Sequence, residues 1–421
     1  MKKLCVLLIA ALMCSCGSAV TPAAAPNPDF VDCGSSICII NAPSAPAPSA
    51  FFVKGVDYAP VAIGKTPTAG GSVGSNNSAV WSRDLPLMRA MGVNAVRVYD
   101  APVPNFDSGP GTMDAFLDAA WNGGINPIYV IATIFFTRGN VLSNQDATNA
   151  IANQYHDFTK KYGGKQAFMG VTISNELGLD TFDATEWGRF NQIARAAKQG
   201  LIDAGAPSAL VMTAEADGVA GGKEKFIAAA ETNNAAVDAY GVNVFRGRTL
   251  TTLLSDIHSA TNKPVLITEW GAPASTHLPA GPSYTFGTGP TDIGSCTYSN
   301  PGALTDANVS ELAATGNPSM TGLNDLITNV ATAMYNGFKS GGVVSGGFYL
   351  EWQDEWWKLN NPNPTVHTGM SVTNGAFPGC FNDESWYGLN AVSLGTPQGA
   401  PDVLTARSSL QTLKNAWANE P

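Results

Sequence analysis

Two carboxylates, each at the end of an apolar run, are the residues most able to do chemistry in this chain. Phe168-Met169-Gly170-Val171-Thr172-Ile173-Ser174 stops on Asn175-Glu176, and Pro264-Val265-Leu266-Ile267-Thr268 feeds into Glu269-Trp270-Gly271. Runs this short, rich in β-branched residues and apolar at both parities, read as strands buried on both faces of a parallel sheet. The carboxylates then sit at the C-terminal mouths of those strands, where acid/base and nucleophilic work on a glycosidic bond needs them. A lone glutamate after such a run simply starts a loop. A pair, one beside an amide and the other beside an indole, reads as a site.

The elements that must position this pair are legible in the same way. Short apolar runs predict strands at Phe51 to Val56, Ala95 to Tyr99, Asn126 to Ile131, Phe168 to Ser174, Leu210 to Ala214, Ala239 to Val244, Val265 to Thr268 and Val344 to Leu350. Helical apolar spacing falls between them, over Ser82 to Met91, Thr112 to Asn122, Ala147 to Tyr162, Ala184 to Ala204, Glu224 to Glu231, Leu250 to Ala260 and Leu323 to Ser340, with Asp402 to Trp417 closing the ring. Eight strands alternating with helices predict a single (β/α)₈ TIM barrel, with both glutamates at the active-site end after the fourth and seventh strands. Two connections, Ala272 to Gly322 and Glu351 to Pro401, are far longer than ordinary barrel loops. Loops of that length serve as lids or walls.

Composition bounds the partners. Of 421 residues 13% are charged, and the formal net charge is −10, which disfavours nucleic acid and anionic polymers and suits a neutral substrate. Lys2 and Lys3 precede an apolar run from Leu4 to Met13, so residues 1–15 read as a secretory signal peptide. Its end, Met13-Cys14-Ser15-Cys16, resembles a bacterial lipobox with Cys16 as the lipidated thiol; a plain secreted form is the alternative. Either way the chain is expected to be exported, touching a membrane only through a lipid anchor. Residues 16–50, rich in Pro, Ala and Ser, read as a tether, and 51–421 as the catalytic domain. Cys33, Cys38, Cys296 and Cys380 remain, an even number that suggests disulfides with three possible pairings. The expectation adopted is Cys33 with Cys38 as a local loop and Cys296 with Cys380 as a clamp across the mouth.

Taken together, the motifs resemble the clan of retaining (β/α)₈ glycoside hydrolases, in wording nearest the fungal cell-wall β-1,3-glucanosyltransferases. The residues that carry the resemblance are Phe52-Val53-Lys54-Gly55-Val56-Asp57-Tyr58, Arg83-Asp84-Leu85-Pro86, Gly92-Val93-Asn94-Ala95-Val96-Arg97-Val98-Tyr99, Asn175-Glu176, Gly241-Val242-Asn243-Val244-Phe245 and Thr268-Glu269-Trp270-Gly271. The resemblance implies Glu176 as general acid/base and Glu269 as nucleophile, with Asn175 on the sugar 2-hydroxyl and Arg97 beside Glu269. Trp352 resembles the clan's aromatic floor. Trp356 and Trp386, with Trp270 next to the nucleophile, are expected to line the cleft, because pyranose C–H faces pack on flat rings. The polar stretch Glu351 to Lys358 reads as cleft wall, and Trp121 and Trp417 as core. Phe245 stands where the family places a Tyr that hydrogen-bonds the nucleophile; either Tyr99 or a residue of a long loop replaces the missing hydroxyl, or the nucleophile is less well held. Trp81 likewise stands where the fungal family has a Cys.

The sequence reading is therefore an exported, monomeric enzyme that cleaves or remodels a neutral β-glucan, most simply β-1,3-linked, by double displacement. A β-mannanase or β-1,4-glucanase of the same clan, and a surface lipoprotein that binds polysaccharide without cleaving it, are the alternatives. No cofactor or metal is expected: His156, His258, His277 and His367 lack ligand spacing, and Asp354, Glu355, Asp383 and Glu384 read as solvated loop acids rather than Ca²⁺ ligands.

Overall fold

The computed structural model describes residues 28–42, 47–66, 73–74, 77–99, 101, 113–245, 250–272, 274–277, 309–311, 318–358, 367, 371–372, 381–382, 384–396 and 401–418. Cys16, Cys296 and Cys380 lie outside these residues, as do most positions of the two long connections.

The apolar runs assemble into one parallel sheet. Val53–Asp57, Ala95–Val98, Tyr129–Ile134, Phe168–Ile173 and Leu210–Met212 pair in chain order. On the other side of Val53–Asp57 come Gly346–Tyr349, Val265–Trp270, Tyr240–Val244 and Glu215–Ala216. The two ends of this nine-stranded order, 210–212 and 215–216, are neighbouring pieces of one run, and Met212 bridges to Ala239. The sheet thus curls into an α/β barrel. Every residue of Tyr129–Ile134, Phe168–Ile173 and Val265–Trp270 is buried, which is why these runs show no polar alternation. Close strand approach needs a missing side chain at Gly170, where a Cβ would collide with the Leu210 carbonyl.

Helices cover the outside, and several start on a side-chain cap. Gln145–Tyr162 begins on Asn144, whose side chain accepts the Asp146 and Ala147 N–H groups, and Ala184–Asp203 begins on a reciprocal capping box between Asp183 and Glu186. Tyr155, on the first of these helices, donates its hydroxyl to the Ile134 and Thr172 carbonyls and accepts the Ser174 N–H. One helical side chain therefore pins the ends of two strands just below the site.

The tether expectation is corrected at its C-terminal end. Asp29–Asp32, Ile37–Ile40 and Ser49–Ala50 form an antiparallel sheet. Phe30, 1% exposed, packs edge-on against Phe51 and Tyr129, while Ile37 and Ile39 are also buried. The Ile37 N–H donates to Ser345 Oγ and the Ser208 hydroxyl to Asp29, so this sheet plugs the N-terminal end of the barrel. The apolar residues responsible are few and lie among Pro, Ala and Ser, which dilutes their alternation below recognition. The expected Cys33–Cys38 disulfide closes the turn between the first two of these strands.

Candidate active site

Glu269, one residue before the end of its strand, is only 7% exposed and lies beside Arg97, which is fully buried within the barrel. Arg97 Nη1 donates to Glu269 Oε1 at 2.8 Å, and the Tyr99 hydroxyl donates to the same oxygen at 2.7 Å. Tyr99 thus supplies the hydroxyl that Phe245 lacks. Arg97 also donates to the Asn175 side-chain oxygen at 2.7 Å, and that oxygen accepts Asn243 Nδ2 at 3.2 Å. Asn243 Nδ2 reaches Glu176 Oε1 at 2.9 Å, and its own oxygen accepts the Thr268 hydroxyl at 2.7 Å. One hydrogen-bonded chain therefore runs from the buried Glu269 to the exposed Glu176, and the two carboxyls have unlike surroundings.

Charge inside the barrel is balanced around Arg97. Asp57 lies 3.6 Å from its guanidinium with both carboxyl oxygens buried. Burial holds the Asp57 carboxyl well above the usual range, with Arg97 pulling it down and Glu269 pushing it up. Burial works against the charge of Arg97, but Tyr99, Glu269 and Asp57 outweigh it and hold the guanidinium above its ordinary value. Burial likewise raises the Tyr99 phenol well above its ordinary value, so it stays a donor.

Glu176 follows a strained turn. Ser174 and Glu176 both have positive φ, 57° and 50°, a region that non-glycine residues enter at a cost of ~1–3 kcal/mol each. The Ser174 hydroxyl donates to the Phe136 carbonyl and accepts the Phe136 N–H, which helps hold the turn.

A cavity of about 310 Å³ opens over the pair, lined by Tyr99, Asn175, Glu176, Phe245 and Glu269 and walled by Phe135, Glu355, Trp357 and Lys358. The sequence expectations for tryptophan are corrected here. Trp270, Trp352 and Trp386 are buried, at 1%, 1% and 7% exposure, and none of them, nor half-buried Trp356, lines the described cavity. Trp270 packs edge-on against Tyr349, and Trp356 and Trp386 sandwich His367. Aromatic residues after a strand end can fold back as readily as face solvent, and sequence does not separate the two. Trp357 and the half-exposed Phe135 are the aromatic faces the cavity offers instead. Trp121 and Trp417 are buried, as read.

The stretch 351–358 is also deeper than its polarity suggested. Glu351 to Glu355 are buried, and only 356–358 stay partly exposed. Asp354 is no solvated acid: Arg407 holds both of its oxygens at 2.7 Å. Arg83, from the Arg83-Asp84 motif, pairs with Asp84 and donates to Gln353 at 2.9 Å, while the Tyr58 hydroxyl donates to Asp84. These motif residues brace the wall from behind.

Sequence reasoning assigned no role to Asp57, Phe135, Glu215 or Asn243. Asn243 carried a signal, sitting in a quoted motif at the end of its strand. Asp57 likewise sat in the quoted Phe52 to Tyr58 motif, whereas Phe135 and Glu215 carried no signal beyond their place after an apolar run.

No protein-family model and no curated relative matches the sequence, whereas solved structures do. A GH2 β-galacturonidase from Eisenbergiella tayi, bound to glycerol, superposes with a TM-score of 0.54 at 13% identity over 93% of this chain and 54% of its own. A β-glucuronidase from Bacteroides uniformis gives 0.51 at 13% identity over 86% and 35%. Saccharomyces cerevisiae Gas2p, in complex with laminaritetraose and laminaripentaose, gives 0.50 at 16% identity over 94% and 68%. The chain thus spans about half the length of the galacturonidase. What these likenesses show is the fold, an α/β barrel.

Proposed function

We propose that this protein is a retaining glycoside hydrolase or transglycosylase acting on a neutral β-glucan, with a β-1,3-linked chain as the first choice. In this reading the run 210–216 counts as one strand and the barrel as (β/α)₈. The observation that carries the proposal is the pair itself: two carboxyls on one cavity, one buried against Arg97 and Tyr99, the other exposed and held by Asn243. Glu269 attacks the anomeric carbon while Glu176 gives its proton to the departing oxygen, breaking the glycosidic bond and leaving a glycosyl ester on Glu269. Glu176 then takes a proton from water or a sugar hydroxyl, whose oxygen displaces Glu269 with net retention. Asn175, fixed by Arg97 and Asn243, is placed to meet the 2-hydroxyl.

The described lining carries three carboxyls, Glu176, Glu269 and Glu355, against one cation, Lys358, which lies 3.2 Å from Glu355. That balance supports a neutral sugar over the acidic sugars named for two of the neighbours. The resemblance in the motifs, together with the laminari-oligosaccharides bound by Gas2p, supports the β-1,3 linkage. Export and attachment through Cys16 belong to the same proposal and rest on the N-terminal sequence. Proton NMR of an early time course tests the mechanism: the β-anomer appearing first fits retention, and the α-anomer appearing first rejects it.

A further inference from the structure

Glu215 is 2% exposed and belongs to none of the steps above. It sits on the short strand piece Glu215–Ala216, paired with Tyr240–Val244 so that its backbone lies opposite Val242, next to Asn243. Its carboxyl oxygens accept three successive backbone N–H groups, those of Leu177 at 2.9 Å, Gly178 at 2.8 Å and Leu179 at 3.4 Å. The preceding N–H, that of Glu176 itself, donates to the Ala214 carbonyl at 2.8 Å. Four consecutive amides, 176 to 179, therefore end on residues 214 and 215. Glu176 and Gly178 both have positive φ, 50° and 75°. A non-glycine residue in that region persists only where its surroundings hold it.

We propose that Glu215 is the positioning residue for Glu176: its carboxyl clamps the turn that aims the acid/base at the leaving oxygen, and its backbone holds the strand that brings Asn243 to the same carboxyl. The inference rests on the glycosidase reading for its consequence in catalysis, though not for the clamp itself. Once ionised, the carboxyl can accept from all three N–H groups with both oxygens, which glutamine cannot do because its NH₂ would meet a donor. A displacement of the acid by about 1 Å costs on the order of 10²-fold in rate.

The test uses the full chain with Glu215→Gln and Glu215→Ala. Amide hydrogen exchange is followed at Leu177, Gly178 and Leu179, with Tyr129–Ile134 as the control for folding. In parallel, kcat/KM is measured on aryl β-laminaribiosides with a 2,4-dinitrophenyl group, which departs without a proton, and with a phenyl group, which needs one. The clamp predicts faster exchange at the three amides in both variants with the control strand unchanged. It also predicts a loss of about 10²-fold for the phenyl glycoside and only a few-fold for the dinitrophenyl one. Unchanged exchange overturns the proposal, and so does an equal loss on both glycosides, which would mark a general disturbance of the cleft. If the wild type cleaves neither glycoside, the glycosidase reading fails on these substrates, and the exchange result alone upholds or rejects the clamp.

Discussion

Arg97→Met probes the electrostatics of the site at its centre. Arg97 is buried with two carboxyls against it, Glu269 at 2.8 Å and Asp57 at 3.6 Å. Removing one partner of a buried ion pair costs ~3–5 kcal/mol, because an uncompensated charge is left behind. With an unfolding entropy of about 2 cal/mol/K per residue, a chain of 421 residues loses about 3–6 °C of melting temperature for that destabilisation. The loss must shrink as pH falls, because burial already holds the Asp57 carboxyl well above the usual range and its protonation removes one of the charges that Arg97 compensates. Arg97 also donates to Glu269 and Asn175, and hydrogen bonds from a charged donor are worth ~1.5–3 kcal/mol each. Their joint loss predicts a fall in kcat/KM of about 10²–10⁴-fold. Thermal melts at pH 5 and pH 8, alongside kinetics on a laminari-oligosaccharide, check all three points. A melting shift below about 1 °C, or one of equal size at both pH values, would refute the charge argument.

Three further outcomes follow from the same geometry. Tyr99→Phe removes the 2.7 Å hydrogen bond to Glu269 while keeping the ring, and should lower kcat/KM by about 10–100-fold with little change in melting. Glu215 is pushed up to about 8 by burial, with the Leu177, Gly178 and Leu179 N–H groups pulling it down and Glu176 adding to the rise. The folded state then keeps a proton that the unfolded chain releases near 4.5, so stability from this group is lost as pH rises from about 4.5 to about 8, by up to about 5 kcal/mol. Glu215→Gln should flatten that part of the pH profile in urea unfolding; an unchanged slope would show that Glu215 does not carry it. Phe30→Ala should cost ~3–5 kcal/mol if the N-terminal sheet is part of the core, and nothing if residues 29–32 were a tether.

The barrel was legible because its strands are buried on both faces. Phe168–Ile173 and Tyr240–Val244 fall within a residue of the runs that predicted them, since a continuous β-branched run ends abruptly where polar mouth residues begin. The strand expected over Asn126 to Ile131 lies instead at Tyr129–Ile134, displaced because Asn126-Pro127 belongs to the preceding turn and Ala132-Thr133-Ile134 continue the apolar interior. The strand expected over Leu210 to Ala214 ends at Met212, and a further piece, Glu215–Ala216, carries Glu215 to the opposite edge of the sheet order. Nothing in Thr213-Ala214-Glu215-Ala216 announces that break or the burial of Glu215. Strand ends, once counted, put Glu176 and Glu269 at one mouth, whereas Arg97, Tyr99 and Asn175, which the structure places beside them, were picked out by the resemblance in the motifs. Trp270, Trp352 and Trp386 were misplaced because indoles serve core and platform alike, and only the path of the following loop decides between them.

The most direct test of the central claim is product analysis of the soluble chain, lacking residues 1–16, with laminari-oligosaccharides beside Glu269→Gln and Glu176→Gln. The account predicts shorter products, longer products or both from the wild type and none from either variant, with the length distribution reporting whether water or a sugar accepts the glycosyl group. Products that persist undiminished in both variants would contradict the assignment of this carboxylate pair, and no products from the wild type would contradict the β-1,3-glucan reading.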